Sequence, residues 1–296
     1  MIVEFYLEVE TKEDARMVDK SRKKYKNTNK TGLKSQPSET VLEYFYSTLK
    51  DQTTAQLFSV RKDDGTREWA ELRQKQHIKI INSILSRGIS TERPIGIFMA
   101  GGSGSGKSTV RNEIVIPWFG KPIIVVDCDE IKSELPEYKL YVSVDTVFAA
   151  NIVHEESQDI SKILLNECIE KSYSFVYDST LAGEPKRYID LIQRCRKKSF
   201  ELILVGVDVP LRVAIERVSE RAQKTNRYVP LEAVEYTVKH FPRTFIKIEP
   251  IFDEMMLFDN SKNPKLVAER HEISGQLDMY DNILYNRFKE RGETDA

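Results

Sequence analysis

The run Gly101-Gly102-Ser103-Gly104-Ser105-Gly106-Lys107-Ser108 satisfies the pattern G-x-x-x-x-G-K-[ST] at every position. It constrains the fold because the pattern works only between a strand and a helix. Ile95 to Ala100 ahead of it reads as a short buried strand, and Thr109 to Val115 after it reads as the start of a helix. Glycines permit positive φ and close approach of the backbone, so that consecutive N–H groups and the helix N-terminus face one concavity suited to an anion. Gly101, Gly102, Ser103, Gly104, Ser105, Gly106, Lys107, Ser108 and Thr109 are therefore expected to cradle the phosphates of ATP. Lys107 would reach the β- and γ-phosphates, and the Ser108 hydroxyl would ligate Mg²⁺. A flexible Gly/Ser linker is the plain alternative, but a linker would not be flanked by a strand and a helix.

With 296 residues, 40% of them hydrophobic, the chain is long enough for one large α/β domain with an accessory segment and is not a disordered protein. The net charge of −1 hides an asymmetry: residues 1–94 hold 18 basic against 14 acidic residues, and the remainder 27 against 32. A gross nucleic-acid-binding field is thus absent from the larger part. Cys128, Cys168 and Cys195 follow neither metal nor disulfide spacing and read as reduced thiols of a cytoplasmic protein. His77, His154, His240 and His271 are scattered without ligand spacing. No signal sequence or membrane-length apolar run is present, so neither secretion nor membrane insertion is expected.

Residues 1–10 alternate apolar and acidic positions as a strand does, 11–26 form a charged helical run, and 20–34 make a basic segment of Lys and Arg among polar residues. That segment suits a mobile loop or a contact for an anionic partner. Glu39 to Lys50 and Thr66 to Ser86 carry helical apolar spacing, with Gly88 as a stop, and a boundary near residue 90 divides a mainly helical accessory region (1–90) from the main domain (91–296). Beyond it, strands are expected at Pro122–Asp127, Ser174–Asp178, Glu201–Val209 and Glu254–Phe258. Helices are expected at Val142–Ala150, Glu155–Lys171, Glu184–Lys197, Leu211–Ala222 and Leu231–His240, then helices to the end with a frayed tail from Lys289. This alternation predicts a three-layer α/β/α sandwich around a parallel sheet.

Acids recur where such a sheet binds its ligands. Asp127, Cys128, Asp129 and Glu130 follow one strand, and Asp178, Ser179 and Thr180 end the next. Transfer of a phosphoryl group to a hydroxyl needs an acceptor of the proton and carboxylates for Mg²⁺. If the strand continues, Asp127 and Asp129 share the cleft, Asp127 toward the metal and Asp129 toward the incoming hydroxyl; helix capping is the structural alternative. Asp178 suits acceptor hydroxyls or metal-bound water, and Thr180 a substrate hydrogen bond. Arg217 and Arg221, at i and i+4 on one helix, and Arg227 in the following loop offer delocalised charge to the γ-phosphoryl oxygens. Asn260, just after a strand, is placed to contact adenine, or to make a plain turn.

Together these motifs resemble the zeta-toxin family of phosphate-loop kinases, over roughly residues 95–262: the phosphate loop, Asp127-Cys128-Asp129-Glu130-Ile131-Lys132 followed by Leu135-Pro136, Asp178-Ser179-Thr180, Ile215-Glu216-Arg217 and Arg227. The resemblance implies phosphorylation of a hydroxyl of a nucleotide sugar, in many members UDP-N-acetylglucosamine. It makes Lys107 the phosphate ligand, Asp129 the general base, Arg217 and Arg227 stabilisers of the transferring group, and Lys132, Asp178 and Thr180 acceptor contacts, and it suggests an antitoxin or inhibitory protein as partner. Two departures leave the acceptor open. The family's Glu-Gly-Thr is Asp178-Ser179-Thr180 here, and a substrate-binding Glu falls on Lys162. Glu155 or Glu156 could replace it, although acids at a helix start also serve the helix dipole. A polynucleotide 5′-kinase is the second reading, disfavoured because its kinases carry Arg where Lys132 stands; a non-catalytic ATP-binding module is the third.

Overall fold

Short Val, Ile, Leu and Phe runs that bury both faces become strands here, and the longer amphipathic runs between them become covering helices. The structure is a computed structural model that describes residues 52–142, 146–225, 229–272 and 275–293. The strand expected at 1–10, the helical run at 11–26, the basic segment at 20–34 and the helix at 39–50 lie outside the described residues. In chain order, α1 (Thr54–Phe58) leads into β1 (Ser59–Arg61) and β2 (Arg67–Trp69), then α2 (Glu71–Leu85) and β3 (Ile95–Ala100). After β3 come α3 (Lys107–Val110), a π-helical turn (Arg111–Val115), α4 (Ile116–Phe119) and β4 (Ile124–Val126). Three short helices, α5 (Cys128–Lys132), α6 (Pro136–Tyr141) and α7 (Thr146–Ile152), precede the long α8 (His154–Glu170). The remainder is β5 (Phe175–Asp178), α9 (Pro185–Lys197), β6 (Glu201–Asp208), α10 (Leu211–Thr225), α11 (Leu231–Ile248), β7 (Glu254–Asp259), β8 (Lys265–Arg270), β9 (Asp278–Met279) and α12 (Asn282–Glu293).

The described chain falls into two units, one made of residues up to Ala70 with Lys132–Glu156, the other of Glu71–Ile131 with the residues from Ser157 onward. The second unit holds a seven-stranded sheet in the order β4-β5-β3-β6-β7-β8-β9. From β4 to β7 all neighbours run parallel, while β8 and β9 add antiparallel. The chain leaves β3 toward one edge of the sheet and later crosses to the other, so the carboxyl end of β3 lies at the switch point where open sheets bind ligands. Met99 of β3 stands opposite Asp178 of β5, and Ala100 opposite Gly206 of β6. Ile97, Met99, Val176, Ile203, Val205 and Val207 are buried in one cluster, and the Phe98 ring meets Phe175, Tyr177 and Phe252 edge-on. Burying each such large side chain is worth about 1.5–3 kcal/mol, which makes this sheet a rigid base for the loops at its end.

In the first unit Thr53 caps α1, its hydroxyl accepting the Gln56 N–H while Gln56 Oε1 accepts the Thr53 N–H at 2.8 Å. The helix expected from Thr66 begins only at Glu71. Asp64-Gly65 makes a hairpin turn instead, with Gly65 at φ 82° and the Asp64 carboxylate accepting both the N–H and the hydroxyl of Thr66. In the second unit, the helices expected to the end are interrupted by β8 and β9, because the edge of β7 offers a hydrogen-bonding partner that local periodicity cannot show. The helix expected to stop at His240 runs through Pro242 to Ile248, since Phe241, Phe245 and Ile248 are buried and outweigh the lost backbone bond. The tail is also ordered up to Glu293: Phe288 packs on Phe241 and Phe245, and Arg291 pairs with Asp208.

Candidate phosphate and phosphoryl-transfer site

The phosphate loop follows β3 as expected. Gly106 caps α3 at φ 82°, a left-handed conformation, and a Cβ built there would lie 2.2 Å from Asn260 Nδ2. Gly104 sits at φ 81°, and its Cβ would meet the Ala214 carbonyl at 2.6 Å. Only glycine satisfies both demands at these positions. The loop is strapped from three sides. Asn260 Nδ2 donates to the Ser105 carbonyl at 2.8 Å; Arg217 donates from Nη2 to the Asn260 carbonyl at 2.7 Å and from Nη1 to that of Ser105 at 3.4 Å; and the Ser103 N–H donates to Thr237 Oγ1 of α11 at 2.9 Å. Arg217 and Asn260, read in the sequence as phosphate and adenine contacts, thus hold the loop backbone. The buried Ser105 hydroxyl has no protein partner.

Lys107 Nζ donates to the Gly101 carbonyl at 2.8 Å. Burial pushes its ammonium below the ordinary lysine value, against the pull of Asp178, Asp127 and Asp129. Asp178, at the end of β5, is pushed up to about 6 by burial, with Lys107 and Arg111 opposing and the Asp127 charge adding to the rise. Ser108 and Thr109 stand exposed on the first turn of α3.

The second strand does not carry Asp127 and Asp129 outward together. β4 ends at Val126 and α5 begins at Cys128, so the alternating-face argument fails. Asp127 Oδ1 accepts the Asp129 N–H at 2.8 Å as a cap, and Oδ2 accepts from Arg111 Nη1 at 2.8 Å. Asp129 is exposed on the first turn of α5. Arg111 is the residue that sequence reasoning missed. It is only 2% exposed and joins Asp127, Asp178 (Nη1 to Oδ2, 3.1 Å) and Glu130 (Nη2 to Oε1, 2.5 Å). Its signal was faint: a lone arginine at i+4 from Lys107, on the same helix face.

Thr180 follows β5 in a half-buried loop pinned by Leu181, which is fully buried and at φ 46°. Lys132 and Glu156 belong to the first unit, where both are buried. Glu155, in the same unit, accepts from Thr53 Oγ1 at 3.1 Å and pairs with Arg67. Lys162 lies exposed beside Asp159 at 3.0 Å. Arg221 lies on α10, close enough to Lys107 to oppose its charge. Arg227 lies outside the described residues.

The loop fits a triphosphate: it is a glycine cradle with a buried, unpartnered hydroxyl and a lysine at its mouth. Among the described residues no group of three or more His, Cys, Asp or Glu is gathered to hold a metal. Asp127 has both oxygens engaged within the protein, whereas Arg111 takes only Oδ2 of Asp178.

The sequence model of the Zeta toxin family matches residues 81–272. Among solved structures, the chain resembles a component of the PezAT chromosomal toxin–antitoxin system of Streptococcus pneumoniae, with TM-score 0.56, 15% identity, and coverage of 76% of this chain and 96% of that one. It also resembles a chain of the AvrRxo1-ORF1:AvrRxo1-ORF2 complex with sulphate ions, with TM-score 0.64, 17% identity, and coverage of 83% and 84%. The AvrRxo1-ORF1:-ORF2 complex with ATP gives the same score and coverage. A calmodulin calcium-dependent NAD kinase of Arabidopsis thaliana is 27% identical over 119 residues, 37% of this chain and 22% of the kinase, so the chain spans about a fifth of that relative.

Proposed function

From the premise that the chain belongs to the zeta toxin family, we propose that it is an ATP- and Mg²⁺-dependent phosphotransferase acting on a hydroxyl of a nucleotide-type small molecule. The observation that carries this reading is the convergence of Lys107, Asp178 and the Asp129-bearing α5 at the carboxyl ends of adjacent parallel strands. In this reading the backbone N–H groups of Gly104–Ser108 and the Lys107 ammonium hold the phosphates. Ser108 and the remaining oxygen of Asp178 would hold Mg²⁺, directly or through water, while Asp127 serves the architecture. When bound, Mg²⁺ would supply charge neutralisation to the phosphates. Asp129 accepts the proton of the attacking hydroxyl as its oxygen bonds to the γ-phosphorus and the bond to the β-phosphate oxygen breaks. The reading assigns to Arg217, fixed on the loop, and to Arg227 the cationic charge that the transferring oxygens need. A toxic role and an antitoxin-like partner, by analogy with the PezAT system, belong to the same proposal, as does a cytoplasmic setting, which three free thiols suit.

For the acceptor, a nucleotide sugar such as UDP-N-acetylglucosamine is the first choice. A dinucleotide such as NAD is the second, supported by the similarity to the plant NAD kinase and by the loss of the family's substrate carboxylate at Lys162. Purified protein incubated with γ-labelled ATP, Mg²⁺ and a panel of nucleotide sugars, NAD and 5′-hydroxyl RNA separates these readings. Label on a nucleotide sugar or NAD, absent with Asp129→Ala, is the expected result. Label on RNA alone would replace this reading with the polynucleotide kinase, and ATP binding without transfer would replace it with a regulatory module.

A further inference from the structure

The largest fully buried polar side chain of the structure, Arg111, serves no step assigned above. A guanidinium taken out of water costs several kcal/mol, which well-formed partners only just offset, and apolar side chains of similar volume in place of the whole cluster, the cation together with its carboxylates, often leave a fold as stable or more so. Packing alone therefore does not explain a cation at this point. Its three partners come from different elements: Asp127 follows β4, Asp178 ends β5, and Glu130 lies on α5. Arg111 itself opens the π-helical turn directly behind the phosphate loop, in the continuation of α3 from Lys107. Local π geometry commonly marks functional positions in helices. The planar fork of arginine spans two carboxylates from one nitrogen and a third from the other, which the single ammonium of lysine does not reproduce.

We propose that Arg111 is a positioning residue that couples the phosphate loop to the helix carrying Asp129. The linkage is continuous in the structure. The backbone of the phosphate-loop helix carries Arg111, Arg111 holds Asp127 Oδ2, Asp127 Oδ1 holds the Asp129 N–H, and Glu130 binds the same guanidinium from the next residue of α5. Movement of the loop is thereby transmitted to the carboxylate that takes the acceptor's proton. The bond to Asp178 ties the third wall of the cleft to the same centre. The inference rests on the phosphotransferase reading for its effect on turnover, while the linkage itself is a property of the folded chain.

The test compares wild type with Arg111→Met, Arg111→Lys and Asp127→Asn in the full chain. It measures kcat, the KM and Kd for ATP, thermal midpoint, and hydrogen exchange of the Asp129 amide. Loss of the clamp should lower kcat by about 100-fold in Arg111→Met, the scale of a misplaced reacting group. ATP affinity should change by less than about three-fold, because the loop straps from Asn260, Arg217 and Thr237 remain. Arg111→Lys should recover part of the loss, added guanidinium should partly rescue Arg111→Met, and the Asp129 amide should exchange faster in Arg111→Met than in wild type. If Arg111→Met does not fold, Arg111→Lys and Asp127→Asn decide, both with reduced kcat and retained ATP affinity. A lowered thermal midpoint with unchanged kcat and unchanged Asp129 exchange would overturn the proposal, as would a loss of ATP affinity that accounts for the whole effect. Wild type that transfers phosphate to no acceptor defeats the functional reading, and the exchange measurement then judges the linkage alone: faster exchange upholds it and unchanged exchange ends it.

Discussion

A carboxylate that must take a proton has to be accessible and aimed, and at the level of single residues the acids of this cleft divide by that requirement. Asp129 is exposed at the start of α5, Asp127 is committed to capping and to Arg111, and Asp178 is buried with its pKa pushed up to about 6. Lys107→Ala removes the charge at the loop mouth and should weaken ATP binding by at least about 10-fold in calorimetric titration, the scale of a charge-assisted bond. The phosphate loop was legible in the sequence because its motif has fixed spacing, and Asp129 and Asp178 were picked out as acids at the ends of apolar runs that become β4 and β5. Arg111 was not: one arginine among Val110, Ile114 and Val115 looks like a helix-surface residue until β4 and β5 bring carboxylates to it. Arg217 and Asn260 were found, but contacts to the Ser105 carbonyl depend on folding distances of more than a hundred residues, which no local pattern encodes.

Elements matter here chiefly through what they press against the phosphate loop. Gly106 is fixed by a left-handed φ and by Asn260, so Gly106→Ala costs about 1–2 kcal/mol for the conformation alone and forces Asn260 off the Ser105 carbonyl. Its expected outcome is a lowered thermal midpoint together with loss of ATP binding; unchanged nucleotide affinity would contradict this account of the loop. Thr237 of α11 satisfies the Ser103 N–H, and Thr237→Val leaves that donor without its acceptor, at about 1–3 kcal/mol. Hydrogen exchange at Ser103 should accelerate in that variant while the rest of the sheet stays protected. The strand and helix alternation from β3 to α11 was readable because the apolar runs are short and the helical runs amphipathic. β8, β9 and the β1-β2 hairpin were not read, since each depends on a neighbouring strand or on a short turn rather than on a long periodic stretch.

For the molecule as a whole, the chain's last described helix fastens the back of the sheet's functional end. Arg291 pairs with Asp208 at the end of β6, yet burial still dominates and holds the Asp208 carboxyl up at about 6, with Asp259 adding to the rise. Below pH of about 4 the folded and unfolded chains both keep this proton and burial costs nothing. As pH rises through about 6 the unfolded chain has already released it and the folded chain must ionise a buried group, so stability falls by an amount on the order of 3 kcal/mol. Denaturant midpoints should therefore drop for wild type relative to Asp208→Asn between pH 4 and 7, and parallel curves would show that Asp208 is not shifted. The most direct test of the central claim is single-turnover transfer from γ-labelled ATP to UDP-N-acetylglucosamine or NAD, with the product's phosphate located by NMR, in wild type and Asp129→Asn. The account predicts a phosphorylated hydroxyl on a nucleotide-type acceptor in wild type, and in the variant ATP bound with near-native affinity but transferred at least about 100-fold more slowly. Equal transfer rates in the two proteins would contradict it.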